Sequence, residues 1–582
     1  MAFFKLGRFA PVVFIIILVA ALYANSLFSP LFLDDELLVK KNYLIRSFRF
    51  LPQVFLSDLT IGVKSEANFY RPLQTISYMT DYHFWKLNPF GFHLTSVILF
   101  MLNAVLVYFL VGAISGSRRL AAFTAVFFAA HPIYCEAVAY TSGRAEVLLG
   151  IFLFLSLLLF INYPHFAKEK SRVLFIAALL SFALGLLSKE LAVIFPLVLW
   201  LYDFSFEPDK LKNGSSFLRR HGPFIILGLI YILLRNTILK FSDTLPATAN
   251  VPVLKRLMIF AANFNFYFGM LFFPFGLHMS RTFLVPTHLD VYVICGVVSL
   301  AFIIGGLFFW YRRDRQIFFW SAWFLLWLLP QSGIFPINSF LAEHFIYFSA
   351  IGFFAILAFL IFRLLTKRAA AVFVLCFAAM SGFGTVWHNR DWHNEQVFYE
   401  NILKFSPQSW LAHVNLGNVY LNQRRYAAAE QEYLKALALH PKLLVVHSDL
   451  ALIYIAKGNG ERAIKEIGLS LGLDDILTSR GNIRFPPKHE YLKIIRKGVD
   501  IVNMYNGLGI LFSQYRLYDY AHLAFAESLK LAPDYADAHW NLGFLFREEG
   551  KYDAACKEWK LAKQIDPHNL QFSQWLEKAG CK

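Results

Sequence analysis

Two adjacent carboxylates, Asp34 and Asp35, stand in the run FLDDELLVKKN just beyond the first apolar segment. A carboxylate can take up the proton of a hydroxyl as that hydroxyl attacks. Acids at one membrane face, at the start of a long loop, suit an active site that works on a lipid-borne substrate. Further ionisable residues interrupt the apolar pattern: Arg71, Glu136, Arg144, Lys189, Glu190, Arg281, Glu343 and His344. An anionic leaving group needs positive charge, and an arginine fork can hold two phosphate oxygens at once. A single ionisable residue at a span end is often just an interfacial anchor. The recurrence of such residues on one side gives the set its weight.

Composition fixes the class of element that must position them. The chain has 582 residues, of which 57% are hydrophobic and 16% charged, and 63 are Phe. A chain this apolar reads as a polytopic membrane protein, with Phe on lipid-facing and interfacial surfaces. The net charge of +16 excludes little by itself. Its basic residues gather in short loops, where they set topology, and no basic-aromatic nucleic-acid module is visible. Twelve apolar runs occur between Phe9 and Trp387. Basic clusters at Arg118-Arg119, Lys168 to Arg172, Lys210 to Arg220, Arg312 to Arg315 and Lys367-Arg368 should face inside. Three runs lie between Arg220 and Arg312, so one must not cross. The run 258–276, with Asn263, Asn265 and Pro274, is read as re-entrant or interfacial. About eleven spans are expected, the first uncleaved with its N-terminus inside. The loop 29–91 and the candidate site residues Asp34, Asp35, Arg71, Glu136, Arg144, Lys189, Glu190, Arg281, Glu343 and His344 then lie outside. That loop carries two amphipathic stretches, NYLIRSFRFLPQVFLSD and RPLQTISYMTDYHFWKL, which suit helices lying in the interface.

After Trp387 the long apolar runs stop and a repeat begins. SPQSWLAHVNLGNVYLNQRRYAAAEQEYLKALALHP returns as APDYADAHWNLGFLFREEGKYDAACKEWKLAKQIDP. Leu416-Gly417 recurs as Leu450-Ala451, Leu508-Gly509 and Leu542-Gly543, with first and last steps of 34 residues. This is a tetratricopeptide period. The middle step is 24 residues longer, which places an insertion within about 470–498. Four helical pairs and a C-terminal capping helix are expected, with a concave groove for an extended peptide or partner. A structural or oligomerisation module is the other reading of the repeats. The five cysteines form no CxxC pair. Cys556 and Cys581 could pair only in an oxidising space.

Several motifs in order carry a family resemblance: FLDDELLVKKN, NFYRPLQTISY, HPIYCEAVAYTSGRAEVLLG, LLSKELAVIFPLVLWLYD, FPINSFLAEHFIYFSAIG and WHNRDWHNEQVFYENILKF. With the repeats behind them, the chain resembles the transmembrane and tetratricopeptide-repeat O-mannosyltransferases. More broadly it resembles GT-C glycosyltransferases related to protein O-mannosyltransferases, and a prokaryotic member is expected. The resemblance implies an all-α fold: a GT-C-type membrane domain over 1–388 and a repeat solenoid over 389–582 on the outer side. It implies transfer of a sugar, mannose first, from a polyprenyl-phosphate donor to Ser or Thr hydroxyls of translocated proteins, with inversion. Asp34 matches the first acid of the family's loop motif and would be the base, with Asp35 orienting it, binding the acceptor or helping to hold a metal. Arg71, Arg144 and Lys189, then Arg281 and His344, would face the donor phosphate. Glu136 and Glu343 would bind sugar hydroxyls or pair with the arginines. The sequence Ala342-Glu343-His344-Phe345 departs from the expected Arg and aromatic after the acid, and His278 and Arg281 stand where an acid was expected. Both departures bear on the donor.

Nothing in the residues requires a metal or other cofactor; a divalent ion at Asp34 and Asp35 has no further ligand set in the sequence. The expected partners are the lipid-linked sugar, an acceptor protein in the repeat groove and membrane lipid, without nucleic acid. The expected location is a bacterial inner membrane with periplasmic repeats, with the endoplasmic reticulum membrane and lumenal repeats as the alternative. Two other functions stay open: a GT-C or ligase-like transferase with a lipid or glycan acceptor, and a non-enzymatic membrane scaffold displaying repeats.

Overall fold

A computed structural model of the chain describes residues 9–63, 68–237, 239, 248–279, 290–337, 339–470, 500–514, 516–567, 569, 571–572, 575–576 and 579–581. The inserted stretch at about 470–498 and Arg281 lie outside them, apart from Ser470. Among the described residues every regular element is helical. The chain divides into two compact units, Met1–Phe405 and Ser406–Lys582.

The first unit holds helices α1 (Phe9–Tyr23), α2 (Leu51–Leu56), α3 (Pro72–Trp85), α4 (Pro89–Ser115), α5 (Arg118–Ala130), α6 (Cys135–Ala139), α7 (Arg144–Asn162), α8 (Lys168–Leu186) and α9 (Phe195–Phe206). After α10 (Asp209–Lys212) come α11 (Gly214–Thr237), α12 (Val253–Phe272), α13 (Val291–Arg313), α14 (Arg315–Leu328), α15 (Ser349–Leu364), α16 (Lys367–Asn389) and α17 (Glu395–Phe405). Local chemistry sets the ends of the longest. At α4, Pro89 opens the first turn, the Asn88 side chain accepts from the Phe90 N–H, and Gly116 closes the helix at φ 66°, in the left-handed conformation that suits glycine.

Among the described residues, six stretches are long and apolar enough to cross a membrane: Phe9–Phe28, Pro89–Ser115, Thr141–His165, Gly214–Thr237, Val291–Arg313 and Lys367–Trp392. A seventh is obtained if α5 and the segment Pro132–Ala139, bent by 57°, form one broken span. The first unit is therefore that of a multi-pass membrane protein. The other expected spans fall on helices that are short, as α9, α14 and α15 are, or that begin with charge, as α8 does with Lys168, Glu169, Lys170 and Arg172. The segment 258–276 forms most of α12, which packs closely on α13: a Cβ on Gly296 would collide with the Ala261 carbonyl.

Phe was expected on lipid-facing surfaces, and Phe302 and Phe308 are exposed. Many rings instead build the interior. Phe100 stacks on Phe128 at 5.2 Å, and Phe127 meets Phe377 at 4.7 Å. Trp320, Trp323 and Trp327, three and four residues apart on one face of α14, are all buried. The segment between α1 and α4 has its own small core, with Leu38, Val39, Leu44, Ile45 and Val54 packed on Tyr78 and Met79 of α3. The composition change near Trp387 does not coincide with the break between units. Helix α17 stays with the first unit because Phe398 packs on Trp392 at 4.9 Å and on Phe32 at 5.3 Å.

Among the described residues the second unit shows four helical pairs, as the repeat period requires: Trp410–Asn422 with Tyr426–Leu439, Leu444–Ala456 with Gly460–Ser470, Ile501–Gln514 with Tyr518–Leu531, and Ala536–Glu548 with Tyr552–Ile565. Within a pair, the small residue after the recurring Leu faces an aromatic sixteen residues on in three of the four pairs. A Cβ on Gly417 would lie 2.5 Å from the Tyr433 ring, and one on Gly509 would lie 2.5 Å from Phe525; Gly543 abuts Trp559. The second pair carries Ala451 and Ile467 at these positions, both fully buried. A larger small residue thus goes with a smaller partner. A His on the first helix bonds a Glu nineteen residues later in three pairs: His413–Glu432, His447–Glu466 and His539–Glu558, each at 2.6 Å. Cys556 and Cys581 form a disulfide, Cα–Cα 5.4 Å, beside a cluster of Trp559, Leu576, Trp540 and Phe544.

Gly543→Ala should destabilise the repeats by about 1–3 kcal/mol through overpacking. Adding Trp559→Ile, which reproduces the Ala451 and Ile467 pairing, should recover part of that loss. Thermal unfolding of the single and double variants checks this, and a double variant that melts lower than Gly543→Ala would refute the size-matching account.

Candidate active site

The turn that carries the two acids is bent at Leu33, a non-glycine residue with φ 57°, a conformation that crowds Cβ against the carbonyl. The bend sends neighbouring side chains in opposite directions. Asp34 is exposed. Asp35 turns inward and is 2% exposed. The Ser142 hydroxyl donates to Asp35 at 2.6 Å and the Thr141 N–H at 3.3 Å, while the Asp34 N–H donates to the Tyr140 hydroxyl at 3.1 Å. Residues 140–142 therefore hold both acids. Burial pushes the Asp35 carboxyl from its ordinary 3.8 up to about 7, against the pull of the Ser142 and Thr141 hydrogen bonds, and the Asp34 charge adds to the rise. Tyr140 in turn stacks on Trp392 at 5.2 Å.

Helix α3 grips the same turn. Gln74 donates to the Ser142 carbonyl at 2.9 Å and the Tyr78 hydroxyl donates to the Thr141 carbonyl at 3.0 Å. One turn before Gln74, Arg71 forks onto Glu190 with contacts of 2.6 and 3.1 Å. Its neighbour in space, Lys189, pairs with Glu146 of α7. The Leu73 N–H bonds the Leu187 carbonyl at 3.2 Å, which fixes α3 against the 187–190 turn. Glu136 accepts from the backbone N–H of His344 at 3.2 Å and contacts His344 Nδ1 at 2.8 Å. Lys189 acts on the charges of both Glu136 and Glu190. The result is a polar network in which Arg71 pairs with Glu190, Lys189 pairs with Glu146 and also acts on Glu190 and Glu136, and Glu136 holds His344. The side chains remain partly open to solvent, Arg71 and Lys189 at 14% and His344 at 28%.

The remaining expected residues fall elsewhere. Arg144, expected to reach a phosphate, has a side chain with no exposed surface. It donates to Asp81 at 2.6 Å, Ser77 at 3.1 Å, Ser96 at 3.2 Å and the Phe92 carbonyl at 2.6 Å. Its donors are committed to joining α3, α4 and α7, so it positions the site rather than opening onto it. Glu343 contacts His388 at 3.2 Å, and His388 contacts Asp391 at 2.7 Å, which anchors the turn bearing His344. Arg281 lies outside the described residues.

The sequence did not assign roles to Tyr140, Ser142, Glu146 or Glu190. Tyr140, Ser142 and Glu146 sit in the quoted motif around Arg144, as polar breaks in an apolar stretch. That signal marks positions but not partners.

Two outcomes follow from this geometry. Arg144→Met should destabilise the protein by about 3–5 kcal/mol, because it leaves the buried Asp81 carboxylate unpaired; loss of monodisperse protein on mild heating reads this out. Asp35 binds its proton more tightly folded than unfolded, so its contribution to stability is present at low pH and lost as pH rises from about 4 to about 7. Melting of wild type and Asp35→Asn between pH 5 and pH 8 should show a shallower fall in the variant. An identical slope would exclude Asp35 as the titrating group.

Residues 84–235 match the dolichyl-phosphate-mannose-protein mannosyltransferase family, and residues 410–443 and 507–569 match tetratricopeptide repeats. Protein O-mannosyl-transferase TMTC3 of Mus musculus is 23% identical over 610 residues, covering 97% of this chain and 64% of its own length. A protein O-mannosyl-transferase of Caenorhabditis elegans is 24% identical over 72% of this chain and 61% of its own. The chain thus spans a little under two thirds of the length of these relatives. Among solved structures, ArnT from Cupriavidus metallidurans bound to undecaprenyl phosphate aligns at 14% identity over 78% of this chain and 79% of its own, with a TM-score of 0.39. A stretch matching the dolichyl-phosphate-mannose-protein mannosyltransferase family, residues 84–235, is thus joined to tetratricopeptide repeats, and the chain is a homologue of proteins named protein O-mannosyl-transferases.

Proposed function

We propose that this chain is a glycosyltransferase that moves a sugar, mannose by the names of its homologues, from a polyprenyl-phosphate carrier to a Ser or Thr hydroxyl of a translocated protein. The observation that carries the reading is the exposed Asp34 carboxylate, pinned at its backbone to the 140–142 turn that α3 locks to the partly open cations Arg71 and Lys189. The description of the matching family, with its lipid-phosphate sugar, supports the donor class.

In the proposed step the acceptor oxygen attacks the anomeric carbon and its proton passes to Asp34. The bond from that carbon to the phosphate oxygen breaks on the opposite face, so the centre inverts. The lipid phosphate leaves with its charge met by Arg71, Lys189 and His344; Arg281 stays a candidate from the sequence. Glu190, Glu146 and Glu136 hold Arg71, Lys189 and His344 until phosphate competes for them. Asp35, which titrates near neutrality, orients Ser142 and the 140–142 turn under Asp34. The step balances without a metal or other cofactor. The Cys556–Cys581 disulfide supports repeats in an oxidising compartment: the bacterial periplasm first, the lumen of the endoplasmic reticulum second.

The test is transfer of labelled mannose from polyprenyl-phosphate mannose to secreted protein by purified wild type and Asp34→Asn. Transfer should fall by about 100-fold or more with melting unchanged. Equal label in both would reject Asp34 as the base, and no label in either would reject the donor.

A further inference from the structure

The motif NFYRPLQTISY supplies Arg71, and the three residues before it are engaged as well. Asn68 accepts from Arg235 of α11. The Arg71 guanidinium lies 4.6 Å over the Phe69 ring, and the Tyr70 ring meets that of Tyr231 at 6.3 Å. Tyr231 and Arg235 stand four residues apart on α11, so they share a face. One short segment therefore brings the C-terminal end of α11 up to Arg71 and Glu190.

Two groups at that end are not satisfied by the fold. The first is the Arg235 charge. Arg71, Lys189 and His344 each hold a carboxylate, whereas Arg235 has no carboxylate partner among the described residues. Its Nη2 donates to the Asn68 carbonyl at 2.6 Å and to Asn68 Oδ1 at 3.0 Å, and its other nitrogens hold no hydrogen bond among the described residues. A cation in the last turn of a helix is favourable by itself, which accounts for the charge but not for its being held toward Arg71. The second group is the Tyr231 hydroxyl. Tyr231 is 7% exposed, and its hydroxyl oxygen is buried without a hydrogen-bond partner among the described residues. A buried hydroxyl left unpaired costs stability. Glu190, Arg235 and Arg71 all act on it electrostatically, so it lies among the charges of the candidate site. An anionic acceptor placed there would satisfy the hydroxyl and the Arg235 charge together.

We infer that Arg235, held by Asn68, and the Tyr231 hydroxyl bind the phosphate of the lipid-linked donor beside Arg71. The inference deepens the proposed function and rests on its reading of the donor. A guanidinium fork suits phosphate because it can meet two oxygens at once. Arg71 must loosen Glu190 before it can turn to an anion. Arg235 has no such partner to give up, so it holds the phosphate from the moment of binding. Arg71 and Lys189 then meet the charge that develops as the sugar leaves.

The test is binding of undecaprenyl phosphate, the kind of carrier that transfer would release, to the full chain in detergent, followed by native mass spectrometry with phosphatidylglycerol as competitor. Arg235→Ala should weaken binding about tenfold and Tyr231→Phe about threefold. Tyr231→Phe removes only a hydroxyl that no described residue bonds, so without lipid it should melt no lower than wild type. Unchanged binding in Arg235→Ala overturns the inference, as does a Tyr231→Phe protein that melts lower yet binds as wild type does. Displacement of the carrier by an equal concentration of phosphatidylglycerol means a general headgroup site and overturns the assignment to the donor. No carrier bound by wild type fails the donor class, and this site with it. Weaker binding in both variants while wild type transfers no mannose leaves the site standing and fails the activity.

Discussion

A guanidinium with no surface in contact with water must be neutralised where it sits, and the rest of the membrane unit is arranged around Arg144 and Asp81 meeting that demand. Removing two charges from water is costly, and only close geometry with further hydrogen bonds offsets the cost. Here Ser77, Ser96 and the Phe92 carbonyl supply those bonds, and Thr95 donates to Asp81 at 2.6 Å. Because the partners come from α3, α4 and the start of α7, the ion pair fixes where these helices meet. The turn 140–143 enters α7 directly before Arg144, so its place is fixed too, and both acids of the first loop hang from it.

The second constraint is charge balance in a partly dry site. Arg71 and Lys189 each hold a carboxylate partner, and Glu136 holds His344. The cations are therefore stored in a compensated state and need no bound anion to keep the fold intact. In the proposed step a phosphate would compete with Glu146 and Glu190 for donors already in place. The strained backbone at Leu33 belongs to the same design, since a relaxed turn would not point Asp34 outward while Asp35 stays inside.

The repeats follow a different logic. Their stability is a sum over similar pairs and interfaces, and each pair matches a small residue on one helix to a bulky one on the next. The His–Glu bonds recur in three pairs and lapse in the third pair, where Tyr505 and Ala524 occupy the positions. The solenoid tolerates that lapse because packing, through Gly509 on Phe525, carries the interface there.

Much of this was legible in the sequence alone. Composition and apolar run length determined a membrane unit, because a bilayer demands about 20 apolar residues per span. A 34-residue period determined the repeats, because each pair must bury the same face against its neighbour. The positions of Asp34, Arg71, Lys189 and His344 were marked as polar breaks in an apolar background. Tertiary structure alone decided what those residues do to one another. Arg144 and Arg71 look alike in sequence, yet one is sealed behind Asp81 and the other stays partly open beside Glu190. Asp34 and Asp35 are neighbours, yet one is exposed and the other buried on Ser142. Burial and partner choice depend on contacts between residues far apart in the chain, and no local pattern encodes them.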